Sequence, residues 1–164
     1  MKKRILISLL ILVIVTTSLF AAEPRKGVGV GLTTGIPFHI GPTVEYNFGP
    51  ATASLALGYM GLGAGANFFH LRLGGDYNFS TPFIQNDWDL DLYLSVGGQL
   101  DLGFTKGATL IGIGIPVTWA WYMESLPLKF HAKAGPVVEI FNITGWGSSV
   151  SLGFFGSAGA LYHF

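Results

Sequence analysis

The sequence predicts an all-β fold, an eight-stranded antiparallel transmembrane β-barrel preceded by a signal peptide, with residues 1–22 as the signal peptide and 23–164 as the barrel. Three observations carry this expectation. Apolar and polar residues alternate with a period of two almost throughout the chain after its first segment, which is the strand signal. Of the 164 residues, 50% are apolar and only 11% charged, against about 25% charged in an ordinary soluble domain. The N-terminus joins a basic cluster to an apolar run, the pattern of an exported chain.

In that first segment, Lys2, Lys3 and Arg4 precede the run from Ile5 to Val15, and Ala21-Ala22 offer a small-residue cleavage point. The run is shorter than the ~20 residues of a spanning helix. Removing residues 1–22 leaves six basic against nine acidic residues, a net charge near −3. No later stretch is a helical span. An exported and very apolar chain can then satisfy its backbone in lipid only by closing a sheet.

The strands follow in order. The first runs about 26–36, with Val28, Val30 and Leu32 on its apolar face. In the second, Phe38, Ile40, Val44, Tyr46 and Phe48 oppose His39, Gly41, Thr43, Glu45 and Asn47. The third spans about 51–61. In the fourth, Phe69, Leu71, Leu73, Tyr77 and Phe79 oppose His70, Arg72, Asp76 and Asn78. The fifth sets Trp88, Leu90, Leu92, Leu94, Val96, Leu100, Leu102 and Phe104 against Asp89, Asp91, Tyr93, Ser95, Gln99 and Asp101. The sixth to eighth run about 109–122, 126–141 and 149–164. Turn signals separate them: Gly35-Ile36-Pro37, Gly49-Pro50, Gly61 to Gly65, Ser80-Thr81-Pro82, Lys106-Gly107, Ser125 to Pro127 and Gly145 to Ser149. Pro42, Pro116 and Pro136 fall inside strands, where the missing donor implies bulges or local breaks in the ladder.

Alternation alone does not say which face meets lipid. The polar face is mostly small, with Gly27, Gly29, Gly31, Gly97, Gly112, Gly114, Gly153 and Gly159 between a few charges. The bulky face carries no charged residue or histidine. A lipid-facing Arg or Lys near the midplane costs about 2–4 kcal/mol, so this face is expected outside. Aromatic residues gather at strand ends. An aromatic girdle is expected from Tyr46, Phe48, Tyr77, Phe79, Trp88, Trp119, Trp121, Tyr162 and Phe164.

The terminal Phe164, with Tyr162, Ala160 and Ala158 on the same face, resembles the last strand of outer-membrane barrels. With the signal peptide and the strand pattern, the chain resembles a small eight-stranded outer-membrane barrel of the OmpA/OmpX kind. The stretches Gly114 to Pro127 and Gly135-Pro136-Val137-Val138-Glu139 are similar to an uncharacterised family of spirochaetal outer-membrane barrels. The resemblance implies a location in the bacterial cell outer membrane. It implies outer-membrane lipid as surroundings, and the outer-membrane barrel assembly machinery as a partner during biogenesis.

Inside, eight strands leave a width that side chains fill. A lumen ion-pair network is expected from Glu45, Arg72, Asp76, Asp91, Asp101, Lys129, Lys133 and Glu139. Arg72, with its planar fork, is expected to pair with Glu45 or Glu139. The function this implies is structural and non-enzymatic, with a filled polar lumen. The alternatives are a narrow or gated pore and a lipid-modifying enzyme. The enzyme needs a Ser and a His reaching lipid, yet His131 points inward and is followed by Ala132-Lys133. No catalytic, cofactor-binding or metal residues are expected; His39 and His70 near one rim make only a pair of ligands. The absence of cysteine excludes thiol chemistry and Cys-ligated zinc. A formal net charge of zero, with no basic cluster beyond the N-terminus, excludes nucleic acid. A monomer is expected.

Overall fold

The computed structural model describes residues 26–36, 38–61, 67–84, 90–123, 126–143 and 147–164. The expected signal peptide and Trp88 lie outside the described residues. The strands are β1 (Gly27–Ile36), β2 (Phe38–Asn47), β3 (Ala51–Gly61), β4 (Asn67–Ile84), β5 (Leu90–Thr105), β6 (Ala108–Gly114), β7 (Val117–Met123), β8 (Leu128–Ile143) and β9 (Gly147–His163). All pairings are antiparallel, and the sheet closes into a ring because β1 pairs with β9 and β4 with β5. Among the described residues, no helix is long and apolar enough to cross a membrane.

Among the described residues nine strands replace the eight of the expected transmembrane barrel, and the fold is corrected to an all-β, closed antiparallel sheet with more than eight strands. The physical reason is Ile115-Pro116. Proline has no N–H to give to a ladder, so the expected sixth strand is divided into β6 and β7. The two keep one register with both neighbours: Gly114 and Val117 face Gln99 and Val96 of β5, and Val137 and Ala134 of β8. Backbone bonds bridge the break, from Gly97 N to the Pro116 carbonyl (3.0 Å) and from Ile115 N to the Pro136 carbonyl (3.1 Å).

Pro42 likewise leaves a gap without a shift. The β2–β3 ladder stops at Ile40↔Tyr59 and resumes in the same register at Thr43↔Ala56. The register shifts fall instead around Pro82, where β4 continues to Ile84 through the expected turn. Beyond Tyr77↔Ala51 this part of β4 has no β3 partner, and proline is tolerated on such an edge. At the Lys106-Gly107 turn the chain reverses as expected, with Gly107 at φ 83°, a conformation that glycine adopts without Cβ strain.

Burial is inverted relative to a water-soluble domain. Among the described residues, 19 polar or charged residues are buried, against nine apolar ones, while 32 large apolar residues are exposed. The period-two pattern produces this directly, since successive side chains point to opposite faces. Around the closed sheet, Thr43, Glu45, Asn47, Arg72, Asp76, Gln99 and Asp101 turn inward, and Val44, Tyr46, Leu73 and Tyr77 turn outward.

Candidate functional site: the ion-paired interior

The interior charges are held at fixed depths by strand register. Arg72 of β4 faces Asp101 of β5 directly across the ladder. Its Nε donates to Asp101 Oδ1 at 2.7 Å. This corrects the expected pairing of Arg72 with Glu45 or Glu139: the nearest carboxylate on an adjacent strand takes the guanidinium. Asp101 also receives Gln99 Nε2 at 2.5 Å and lies 2.9 Å from His70 Nε2. His70 Nδ1 in turn lies 2.8 Å from His39 Nδ1, so one proton is shared between the two rings. The guanidinium stands over the Phe155 ring at 5.7 Å, a further contact for a desolvated cation.

A second cluster lies nearer the end of the sheet that carries both β1's start and β9's finish. Lys129 Nζ donates to Glu45 Oε1 at 2.6 Å, and His163 Nε2 lies 3.0 Å from the same oxygen. Glycine makes this possible. Gly29 sits between Glu45 and His163 in the ladder, and a Cβ there would come within 2.8 Å of His163 Nε2 and 3.0 Å of Glu45 Cγ. Lys129 also stands 5.4 Å from the centre of the Tyr122 ring, and Tyr122 packs edge-on to Tyr93 at 5.5 Å.

Lys133 pairs with Asp76 at 2.5 Å. Asp91 is buried on β5 and Glu139 is half-buried on β8; neither has an ion-pair partner among the described residues. Three acid–base pairs therefore bring together six of the eight expected charges and leave these two apart.

A neutral layer was missed. Asn78 Nδ2 donates to Thr52 Oγ1 and to the Gly49 carbonyl, both at 2.8 Å, and Ser95 Oγ donates to Asn78 Oδ1 at 2.9 Å. Asn47 Oδ1 accepts from Gly49 N at 2.8 Å. The signal was present in the repeated Tyr46-Asn47-Phe48 and Tyr77-Asn78-Phe79, where an inward amide sits between two outward rings. Those rings touch one another: Tyr46–Phe48 at 4.5 Å, Tyr77–Phe79 at 5.8 Å and Tyr162–Phe164 at 5.0 Å. Trp119 and Trp121 are half-buried.

All four histidines are buried. Among the described residues, none hydrogen-bonds a serine hydroxyl, and no group of three or more His, Asp or Glu could hold a metal ion. The arrangement neutralises charge inside a closed sheet.

The fold and its interior define a closed antiparallel sheet with a polar, ion-paired core and an apolar exterior. No family model matches the chain, and no curated protein matches it. A similar solved structure is the N-terminal β-barrel domain of Pseudomonas aeruginosa OprF, 16% identical, with a TM-score of 0.47, covering 85% of this chain and 98% of that one.

Proposed function

We propose that this chain is a structural, non-enzymatic protein of the bacterial outer membrane, related to the OmpA/OmpX-like proteins, whose closed sheet is surrounded by lipid and filled by paired side chains. The observation that carries the reading is the inversion of burial: charged groups meet inside while 32 large apolar side chains among the described residues are exposed. In water such an exterior would drive association, since soluble monomers rarely expose large contiguous apolar patches. In lipid it is the favourable face, and backbone groups are satisfied where ring closure pairs β1 with β9 and β4 with β5. The aromatic pairs suit the membrane–water interface, where an apolar ring with a polar edge is stable.

In this reading residues 1–22 direct export and are removed, and residues 23–164 form the mature chain. The assembly machinery engages the terminal Phe164 strand, which joins β1 to close the ring. Planar-bilayer recording of the refolded chain tests the filled interior. No steady single-channel conductance is expected; a stable open level would replace the filled core with a pore. Incubation with phospholipid or lipid A should release no acyl chain, and turnover would overturn the non-enzymatic reading.

A further inference from the structure

Between the two ion-pair clusters the interior is not fully packed. A cavity with about 20 Å³ of room for the centre of a water-sized sphere lies there, and Glu45, Arg72, His131, Lys133 and Ser157 form part of its wall. Three atoms of those residues are buried without a hydrogen-bond partner: Arg72 Nη1, His131 Nδ1 and Ser157 Oγ. The threonines at the same cavity, Thr33 and Thr43, already bond to each other at 2.7 Å.

We propose that this cavity is a binding site for one ordered water molecule, held by Arg72 Nη1, His131 Nδ1 and Ser157 Oγ. Size, charge and hydrogen-bond capacity each narrow the ligand. A buried water needs roughly 10–15 Å³ measured in this way and two to four polar partners, and the cavity supplies both. Arg72 and Lys133 repel a cation, while the Glu45 carboxylate opposes an anion. A neutral ligand remains.

The partners also differ in kind. The guanidinium can only donate, so the ligand must accept from Arg72. Ser157 and His131 each present a lone pair or a proton according to rotor and tautomer. A ligand that accepts from one side and donates to the other satisfies all three in either tautomer of His131; a halide satisfies all three only where Ser157 and His131 both donate, and the Glu45 carboxylate in the same wall opposes its charge. Leaving buried groups such as these unsatisfied is costly. The water joins the Arg72–Asp101–His70–His39 cluster to the half of the interior that holds His131 and Glu45. This inference concerns the cavity alone and does not depend on where the protein resides.

The test uses the full refolded chain in detergent micelles. Water-oxygen relaxation dispersion counts long-lived internal waters, and Ser157→Val fills the cavity with two methyl groups. The variant is expected to lose the amplitude of one water. In the wild type, rotating-frame exchange spectra should show a cross-peak between water and the His131 ring or the Ser157 β-protons. Equal amplitude in both proteins, or no such cross-peak, would overturn the proposal. The wild-type spectrum decides if Ser157→Val does not refold. Melting is also compared in chloride and in gluconate. No difference is expected; a chloride-dependent rise that Ser157→Val removes would make the site an anion site instead.

Discussion

Lys129 and Glu45 stand 84 positions apart in sequence and meet at 2.6 Å inside the sheet, both with side chains almost wholly buried. They come from β8 and β2, which are not neighbours in the ring. The pair therefore spans the interior and ties together two parts of the sheet that share no ladder. Taking both charges out of water is unfavourable, and the pair persists because each satisfies the other.

The first prediction follows from that relationship. Lys129→Met leaves Glu45 buried with His163 as its remaining partner, and should cost about 3–5 kcal/mol, the usual effect of breaking a buried pair. Lys129→Met with Glu45→Leu removes both charges and should recover most of the loss. Urea unfolding of the refolded variants measures both. A double variant no better than the single would mean that the pair carries little coupling.

A second prediction concerns the exterior. Leu73 lies mid-strand on the outer face, between Leu55 and Leu100 in the ladder, and is exposed. In phospholipid vesicles Leu73→Arg should cost about 2–4 kcal/mol, whereas Val150→Arg, near the start of β9, should cost about 0–1 kcal/mol. Denaturant titration in vesicles gives both values. Equal small effects would remove lipid from the outer face.

Two glycines on the same sheet make a third prediction in opposite directions. A Cβ on Gly41 would overlap the Leu57 carbonyl and lie 2.7 Å from Gly58 Cα, backbone that cannot swing aside. Gly41→Ala should destabilise by about 1–3 kcal/mol, as overpacking does. At Gly75 nothing lies within 4 Å of the added carbon. Gly75→Ala should be neutral or stabilising by about 0.4–1 kcal/mol, through the lost freedom of the unfolded chain. Thermal melting that ranks the two variants otherwise would contradict the close strand approach at Gly41.

Much of the architecture was legible because a period of two is written into each strand. β1 and β3 occupy nearly the ranges the alternation predicts, and buried and exposed residues alternate by parity along β2 and β6, whereas Asp91, Leu92 and Tyr93 are all buried and Gly147 to Leu152 are all exposed. The strand count was not legible. Ile115-Pro116 continues the alternation without interruption, so only the missing donor of Pro116 reveals the break between β6 and β7. Pro82 misled in the other sense, since a turn signal and an edge-strand proline look alike until the partner strand is known.

Partner choice in the interior was hidden for a related reason. Parity places Arg72 inward but says nothing of register, and register is what sets it against Asp101 rather than Glu45 or Glu139. His39 and His70 were legible as a pair near one rim, but the partner of His163 was not, because the Gly29 gap that lets it reach Glu45 appears only when β9 and β2 flank β1.

The last prediction concerns β9, whose two halves differ. Residues Gly156–Tyr162 pair with β1 on one side and with β8 on the other, and His163 pairs with β1, while Gly147–Phe155 pair with β8 alone among the described strands. In an antiparallel ladder successive amides point alternately to the two neighbours. Every second amide of Gly147–Phe155 therefore points to an open side, where Val150, Leu152 and Phe154 are also exposed by 69–81%. Opening free energies run from near zero for unpaired amides to the global value for core ladders. Hydrogen exchange of the refolded chain should show fast and slow amides alternating through Gly147–Phe155 and continuous protection through Gly156–His163. The lower half is the seam that closes the ring, so its protection should fall in step with global stability when Lys129→Met weakens the interior. The open amides of the upper half should not change. Uniform protection along the whole of β9 would mean that its free edge is covered, and would contradict the pairing that ends at Gly156.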